Sequence, residues 1–260
     1  MRVRHLVGAI AATAIASVMV LSPARAAAPV ANSAVTGTIT VSAASSLIDV
    51  FPVIAKAFQK RYPGTTVKFN FAGSSTLVNQ IKAGAPVDVL ATASETSMFS
   101  AVTAGLVGMP LPFAKNTMAI AMPADNPAKI RSLADLARPG TLVGVCAVTV
   151  PCGAAAKELF AINKVSITPV TQELDVRSLL GKVLSGDLDA GIVYVTDVKA
   201  VGNKVSSVQI PANLNVKTTY QIATVGKTSN PAVAQRFIDY VHYSLSAQGI
   251  LRAYGFARSW

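Results

Sequence analysis

Thr36-Gly-Thr-Ile-Thr-Val-Ser-Ala-Ala-Ser-Ser-Leu47 and Val67-Lys-Phe-Asn-Phe-Ala-Gly-Ser-Ser-Thr-Leu77 are built alike. Each opens with a β-branched or alternating run that reads as a strand. Each then passes through small residues and paired serines into a helical pattern, through Leu47, Phe51, Ile54 and Phe58 in the first case and from Ser75 to Lys82 in the second. Strands that alternate with helices in this way define an α/β sheet protein. Pro52 lies inside the first helical pattern and predicts a kink or a late start. Pro63-Gly64 and Gly84 mark the two ends.

The pattern continues in both directions. Val87 to Ala91 reads as a third strand, and Thr117 to Met122 and Tyr220 to Val225 as apolar strands bounded by turn residues. Between these two lie a helix near Ile130 to Ala137, a strand at Leu142 to Val145, helices at Gly153 to Ile162 and Arg177 to Leu184, and a strand at Ala190 to Val195. After Asn230-Pro231 come a long amphipathic helix and a short one near Ala247 to Tyr254. A middle region set between two crossover strands predicts two lobes. The first is discontinuous, 37–116 with 224–260, and the second is 117–223, with a ligand cleft between them.

The N-terminus sets the compartment. Arg2 and Arg4 precede an uncharged apolar run from Leu6 to Leu21, followed by Ala24-Arg25-Ala26. This is the order of a secretory signal peptide over residues 1–26, too short in its apolar run to span a bilayer. Neither cysteine lies near the cleavage site, so the expected product is periplasmic, soluble and not lipid-anchored. Cleavage removes three of the 23 basic residues and leaves 20 against 12 acids, a charge of about +8. No Lys/Arg run exceeds two residues and aromatics are few, so general attraction for anions fits better than nucleic acid. The expected state is a monomer.

Enzymatic chemistry finds little to use. His242 is the one histidine beyond the leader, which leaves zinc sites and histidine-based triads without material. Asp187 and Asp189 fall in a turn between a helix and a strand, where acids are normally solvated. Gly-x-Ser-x-Gly, phosphate-loop and His-Glu-x-x-His patterns are absent from the sequence. Cys146 and Cys152, six apart in an oxidising compartment, are expected to pair as a structural disulfide. No cofactor is called for.

The strand-to-helix junctions carry chemistry of another kind. Helix N-termini leave backbone N–H groups unpaired and partly positive, so they bind anions without a formal countercharge. Ser45-Ser46 and Ser74-Ser75 open two such helices, and Pro151-Cys-Gly-Ala and Asp175-Val-Arg-Ser supply two more starts in the middle region. Ordinary N-capping explains any one of them. Four in one bilobal pattern point to a shared anion site.

Val41-Ser-Ala-Ala-Ser-Ser-Leu47, Phe71-Ala-Gly-Ser-Ser-Thr-Leu-Val-Asn-Gln-Ile81, Gly84-Ala-Pro-Val-Asp88, Val150-Pro-Cys-Gly153, Leu174-Asp-Val-Arg177, Gly191-Ile-Val-Tyr194 and Tyr254-Gly-Phe256 resemble, in order, the periplasmic molybdate-binding proteins of ABC transporters. The resemblance implies a two-lobed type II periplasmic-binding-protein fold, each lobe a mixed sheet flanked by helices. It also implies that molybdate or tungstate is delivered to an ABC permease. By the same resemblance Ser46 and Ser74 give hydroxyl and N–H, Cys152 and Val176 give backbone N–H, and Tyr194 gives its hydroxyl. Ser45 and Ser75 are the neighbouring candidates. Arg177 is expected to pair with a nearby acid such as Asp175, and Lys157 to be solvated.

Five to seven charge-assisted hydrogen bonds of about 1.5 to 3 kcal/mol each, less the costs of association and closure, are sufficient for micromolar to nanomolar binding. A site made only of donors rejects protonated phosphate, whose O–H would go unpaired. Sulfate, thiosulfate, phosphate and iron complexes are the alternative cargoes on the same fold.

Overall fold

The computed structural model describes residues 1–2 and 35–259. The leader read at 1–26 lies outside the described residues, apart from the first two. Among the described residues no helix is long and apolar enough to cross a membrane.

Nine strands form one curled sheet: β1 Gly37–Ala44, β2 Thr65–Ala72, β3 Val89–Thr92, β4 Leu111–Pro123, β5 Val143–Cys146, β6 Thr171–Glu173, β7 Ala190–Tyr194, β8 Val205–Gln209 and β9 Lys217–Thr224. Their order is β2-β1-β3-β9-β4-β7-β5-β6, with β8 also on β4. Parallel pairs run β1 with β2 and β3, and β5 with β6 and β7. β4 joins the two halves: its Leu111 to Thr117 segment pairs with β9, and from Met118 onward it pairs with β7 and β8.

Among the described residues eight α-helices flank the sheet: α1 Val50–Arg61, α2 Ser74–Lys82, α3 Glu95–Thr103, α4 Pro151–Asn163, α5 Val176–Leu184, α6 Val195–Val201, α7 Pro231–Tyr243 and α8 Leu245–Ala253. The late start expected at Pro52 is seen. Ser45–Leu47 forms a single 3₁₀ turn, and α1 begins at Val50 with Pro52 in its first turn, where a missing N–H costs nothing.

The halves have separate cores. In the first, Phe51, Phe58, Phe113, Tyr220 and Phe237 pack with ring centroids 5.2 to 6.2 Å apart. Each such buried ring stabilises by about 1.5 to 3 kcal/mol. Leu77, Leu90 and Met98 fill the opposite face of that half. The second core gathers Met118, Ile120, Leu159, Leu179, Ile192 and Val216. Tyr220 and Ile222 of β9 belong to the first core.

Four elements were not read from the sequence: α3, β6, α6 and β8. β6 is a three-residue edge strand, Thr-Gln-Glu, with no buried side chain. α6 carries Val195, Val198 and Val201, which read as a continuation of β7. The helix expected at Ile130 to Ala137 is only a 3₁₀ turn at Ala134–Ala137. Asn126 exchanges two hydrogen bonds with Ile130, and the Asp135 carboxylate accepts from the amides of Arg131 and Ser132. Those side-chain bonds hold the segment in loop geometry.

Candidate functional site

The parallel strands of both halves point their C-terminal ends at one cleft, the place where open α/β sheets bind ligands. Each strand hands over to a helix start there. β1 passes through Ala44 to Ser45 and Ser46, β2 through Gly73 to Ser74, and β3 ends at Thr92 before Ala93. From the other half, β5 leads to Val150, Pro151 and Cys152, β6 to Asp175 and Val176, and β7 ends on Tyr194. These residues line a cavity of about 210 Å³ of atom-free space, part of it open to solvent. Ser46, Ser74, Cys152, Val176 and Tyr194 are therefore brought together from five separate stretches of chain. Ser45 lines the cavity as well. Ser75 does not; its hydroxyl donates to the Thr149 carbonyl of the opposite half at 2.5 Å.

Local structure explains what each start presents. Pro151 is the first residue of α4 and has no N–H, so the first amide of that helix is that of Cys152. On α5 the Asp175 carboxylate caps the amides of Arg177 and Ser178, not that of Val176, which is the first residue of the helix. Ser74 Oγ accepts a hydrogen bond from Ala93 N–H at 3.0 Å. With that acceptor position filled, its own proton is left to donate.

Ser46 is oriented by residues the sequence reading did not single out. Asn116 Nδ2 donates to Thr196 Oγ1 at 2.7 Å and to Tyr220 Oη at 3.3 Å, and Tyr220 Oη lies 2.8 Å from Ser46 Oγ. Tyr220 accepts from Asn116 and shares a hydrogen bond with Ser46, which fixes the serine hydroxyl at the cleft wall. Burial raises the Tyr220 hydroxyl, against the pull of its bond to Ser46, and it stays protonated at neutral pH.

Tyr194 is 1% exposed, and its hydroxyl lies beside the hydroxyls of Thr218 and Tyr220 without a well-formed hydrogen bond to either. An unpaired buried hydroxyl costs about 1 to 3 kcal/mol, a cost that a bound acceptor removes. Burial first, then the neighbouring Tyr220 and Asp197, push it well above the usual phenol range, so it is a donor.

Arg177 does not pair with Asp175, because that carboxylate is committed to the α5 amides. Its guanidinium instead meets Asp197, with Nε 3.1 Å from Oδ1, and Asp49 across the cleft. Lys157 is exposed as expected. Cys146 and Cys152 are disulfide-bonded with Cα atoms 5.7 Å apart, which ties the start of α4 to the end of β5. Gly153 has the same cause: a Cβ there would lie 1.9 Å from the Ala147 carbonyl oxygen. Among the described residues no cluster of acids, histidines or cysteines is placed to hold a metal ion.

The profile of the bacterial extracellular solute-binding proteins matches residues 39–257. The chain belongs to that family. Within it, the chain is 44% identical to the molybdate-binding protein ModA of Mycobacterium tuberculosis over 85% of its length and 84% of the relative's. It is 32% identical to ModA of Escherichia coli, over 85% and 89%. Among solved structures, the periplasmic molybdate-binding protein of Azotobacter vinelandii superimposes with a TM-score of 0.75 at 20% identity, covering 85% of this chain and all of that one. The sulfate-binding protein SubI of Mycobacterium tuberculosis gives 0.71 at 20% identity, covering 85% and 87%. Both structures show the type II fold shared by these solute-binding proteins. The family's role is to bind and carry a solute, not to transform one.

Signal for some of the unread site residues was present. Ala91-Thr-Ala-Ser94 repeats the small-and-hydroxyl pattern of the two serine junctions, and it holds the amide that orients Ser74. Asn116, Tyr220 and Asp197 offered no such pattern. The roles of Asn116 and Tyr220 depend on contacts between residues 80 to 174 positions apart.

Proposed function

We propose that this protein captures molybdate, and tungstate with it, and hands the anion to an ABC permease in the membrane. The Tyr194 hydroxyl carries the reading: it is buried without a well-formed hydrogen bond, on a residue that lines a cleft rich in serine and helix-start donors. Ser46 and Ser74 give hydroxyl and N–H, Cys152 and Val176 give N–H, and Tyr194 closes the set. The ModA relatives support the choice of cargo. The anion is the transported substrate, and no cofactor takes part. The protein works as a monomer outside the cytoplasm, exported by residues 1–26 and free of a lipid anchor.

Neutral donors suit a dianion that brings no proton. Asp175, the one acid among the residues lining the cavity, is engaged as a helix cap by two amides and a hydroxyl, which makes it a poor acceptor for a phosphate O–H. The lobes, 37–116 with 224–260 and 117–223, close about β4 and β9. We place the second divide ahead of Tyr220, which packs in the first core.

Thermal unfolding of anion-free protein tests this reading. Molybdate and tungstate at about 100 times their dissociation constants should each add roughly 2.7 kcal/mol of stability, with little change from sulfate and none from phosphate. A rise with phosphate alone would contradict the donor-only site. Tyr220→Phe should weaken molybdate binding by about 0.5 to 1.5 kcal/mol, because Ser46 loses the partner that holds its hydroxyl in place. Equal affinities in variant and parent would remove Tyr220 from the network.

A further inference from the structure

Asp197 is the most deeply buried acid in the second half, with a side chain fully closed to solvent. Its two oxygens are divided between two tasks. Oδ2 accepts the Tyr194 amide at 3.0 Å, and Oδ1 faces Arg177 Nε at 3.1 Å. Burial pushes the carboxyl up to about 7, with Arg177 pulling it the other way. Such an acid is costly unless a cation stays beside it, so Arg177 is anchored on its own half. Its guanidinium has further N–H groups to spare, and its side chain is 20% exposed.

Those spare groups reach Asp49 in the other half. Asp49 precedes the first residue of α1 and stands three residues after Ser46. Arg177 follows Val176 directly and, through Asp197, is joined to the amide of Tyr194. One cation therefore links the two walls of the site at the residues that would touch the anion. The Asp49 end is 40% exposed, the open end of the bridge.

We propose that Arg177 is a positioning residue that latches the closed cleft, held by Asp197 on one half and gripping Asp49 on the other without touching the anion. This rests on the reading of the cleft as an oxyanion site. The latch forms only when the halves meet, so it acts on escape more than on entry. Charge pairs buried at an interface express themselves in the dissociation rate in the same way.

Stopped-flow binding of molybdate tests the latch on Asp49→Asn, a change at a partly exposed position outside both cores. The dissociation rate should rise about three- to tenfold with the association rate within about twofold. Asp49→Glu, which keeps the charge, should recover part of the slow dissociation. In an Arg177→Gln background, Asp49→Asn should add nothing further. An unchanged dissociation rate, or effects that simply add in the double variant, overturns the proposal. If the parent protein binds none of molybdate, tungstate, sulfate and phosphate, the oxyanion reading fails by itself. The latch is then read from small-angle scattering, where Asp49→Asn must enlarge the radius of gyration, and an equal radius refutes it.

Discussion

Gly73→Ala is expected to weaken molybdate binding at least about a hundredfold while leaving the fold intact. Gly73 has φ −60° and ψ 139°, a conformation open to any residue, so the backbone does not require glycine. What requires it is the opposite wall. A Cβ at position 73 would lie 2.2 Å from the carbonyl oxygen of Leu174 and 3.5 Å from Val150 Cγ1, both on the second half. The clash exists only when the halves are together. Alanine should hold them apart by an ångström or so and separate Ser46 and Ser74 from Cys152, Val176 and Tyr194. Losing even two charge-assisted bonds of about 1.5 to 3 kcal/mol each corresponds to a factor of roughly 100 or more. Calorimetry beside thermal melting checks this. Parent-like affinity would mean that the closed arrangement is not the one that binds.

Ser46→Ala and Ser74→Ala form the second large pair. Each should weaken binding by about 1.5 to 3 kcal/mol, roughly ten- to a hundredfold. The two hydroxyls arrive oriented, Ser74 by the amide of Ala93 and Ser46 by Tyr220, so little order has to be created on binding. Ser74→Ala also strands the Ala93 N–H in a buried position, and a loss of about 1 kcal/mol of stability is expected there. The double variant should be weaker than either single one by less than the full sum, since both touch one ligand. Ser75→Ala should leave the first-order contacts in place and is the natural comparison. Retained affinity in the double variant would remove the serines from the site.

Much of this was legible in the sequence, for physical reasons that differ between elements. The serine junctions at 45–46 and 74–75 announced themselves because strand, small residues and helix start follow one another within a dozen positions. The late start before Pro52 follows from a missing N–H. Edge strand β6 was invisible because Thr171-Gln-Glu173 has no buried face, and α6 because its valines suit a strand as well as a helix. At Ile130 to Ala137 apolar spacing suggested a helix, but Asn126 and Asp135 side chains claimed the backbone first. The same competition misled the reading of Arg177. Asp175 is its sequence neighbour, yet a carboxylate at the start of a helix serves the amides before it serves a distant guanidinium. Gly73, Asn116 and Tyr220 matter through contacts between distant segments, which no local pattern encodes.

Calorimetric titration of the anion-free protein with molybdate, repeated in excess sulfate, tests the central claim most directly. The account predicts one site per chain with micromolar or tighter affinity, reduced little by sulfate, and lost about ten- to a hundredfold in Tyr194→Phe as its buried hydroxyl is removed. Failure to bind molybdate, or displacement of it by equimolar sulfate, would contradict the account.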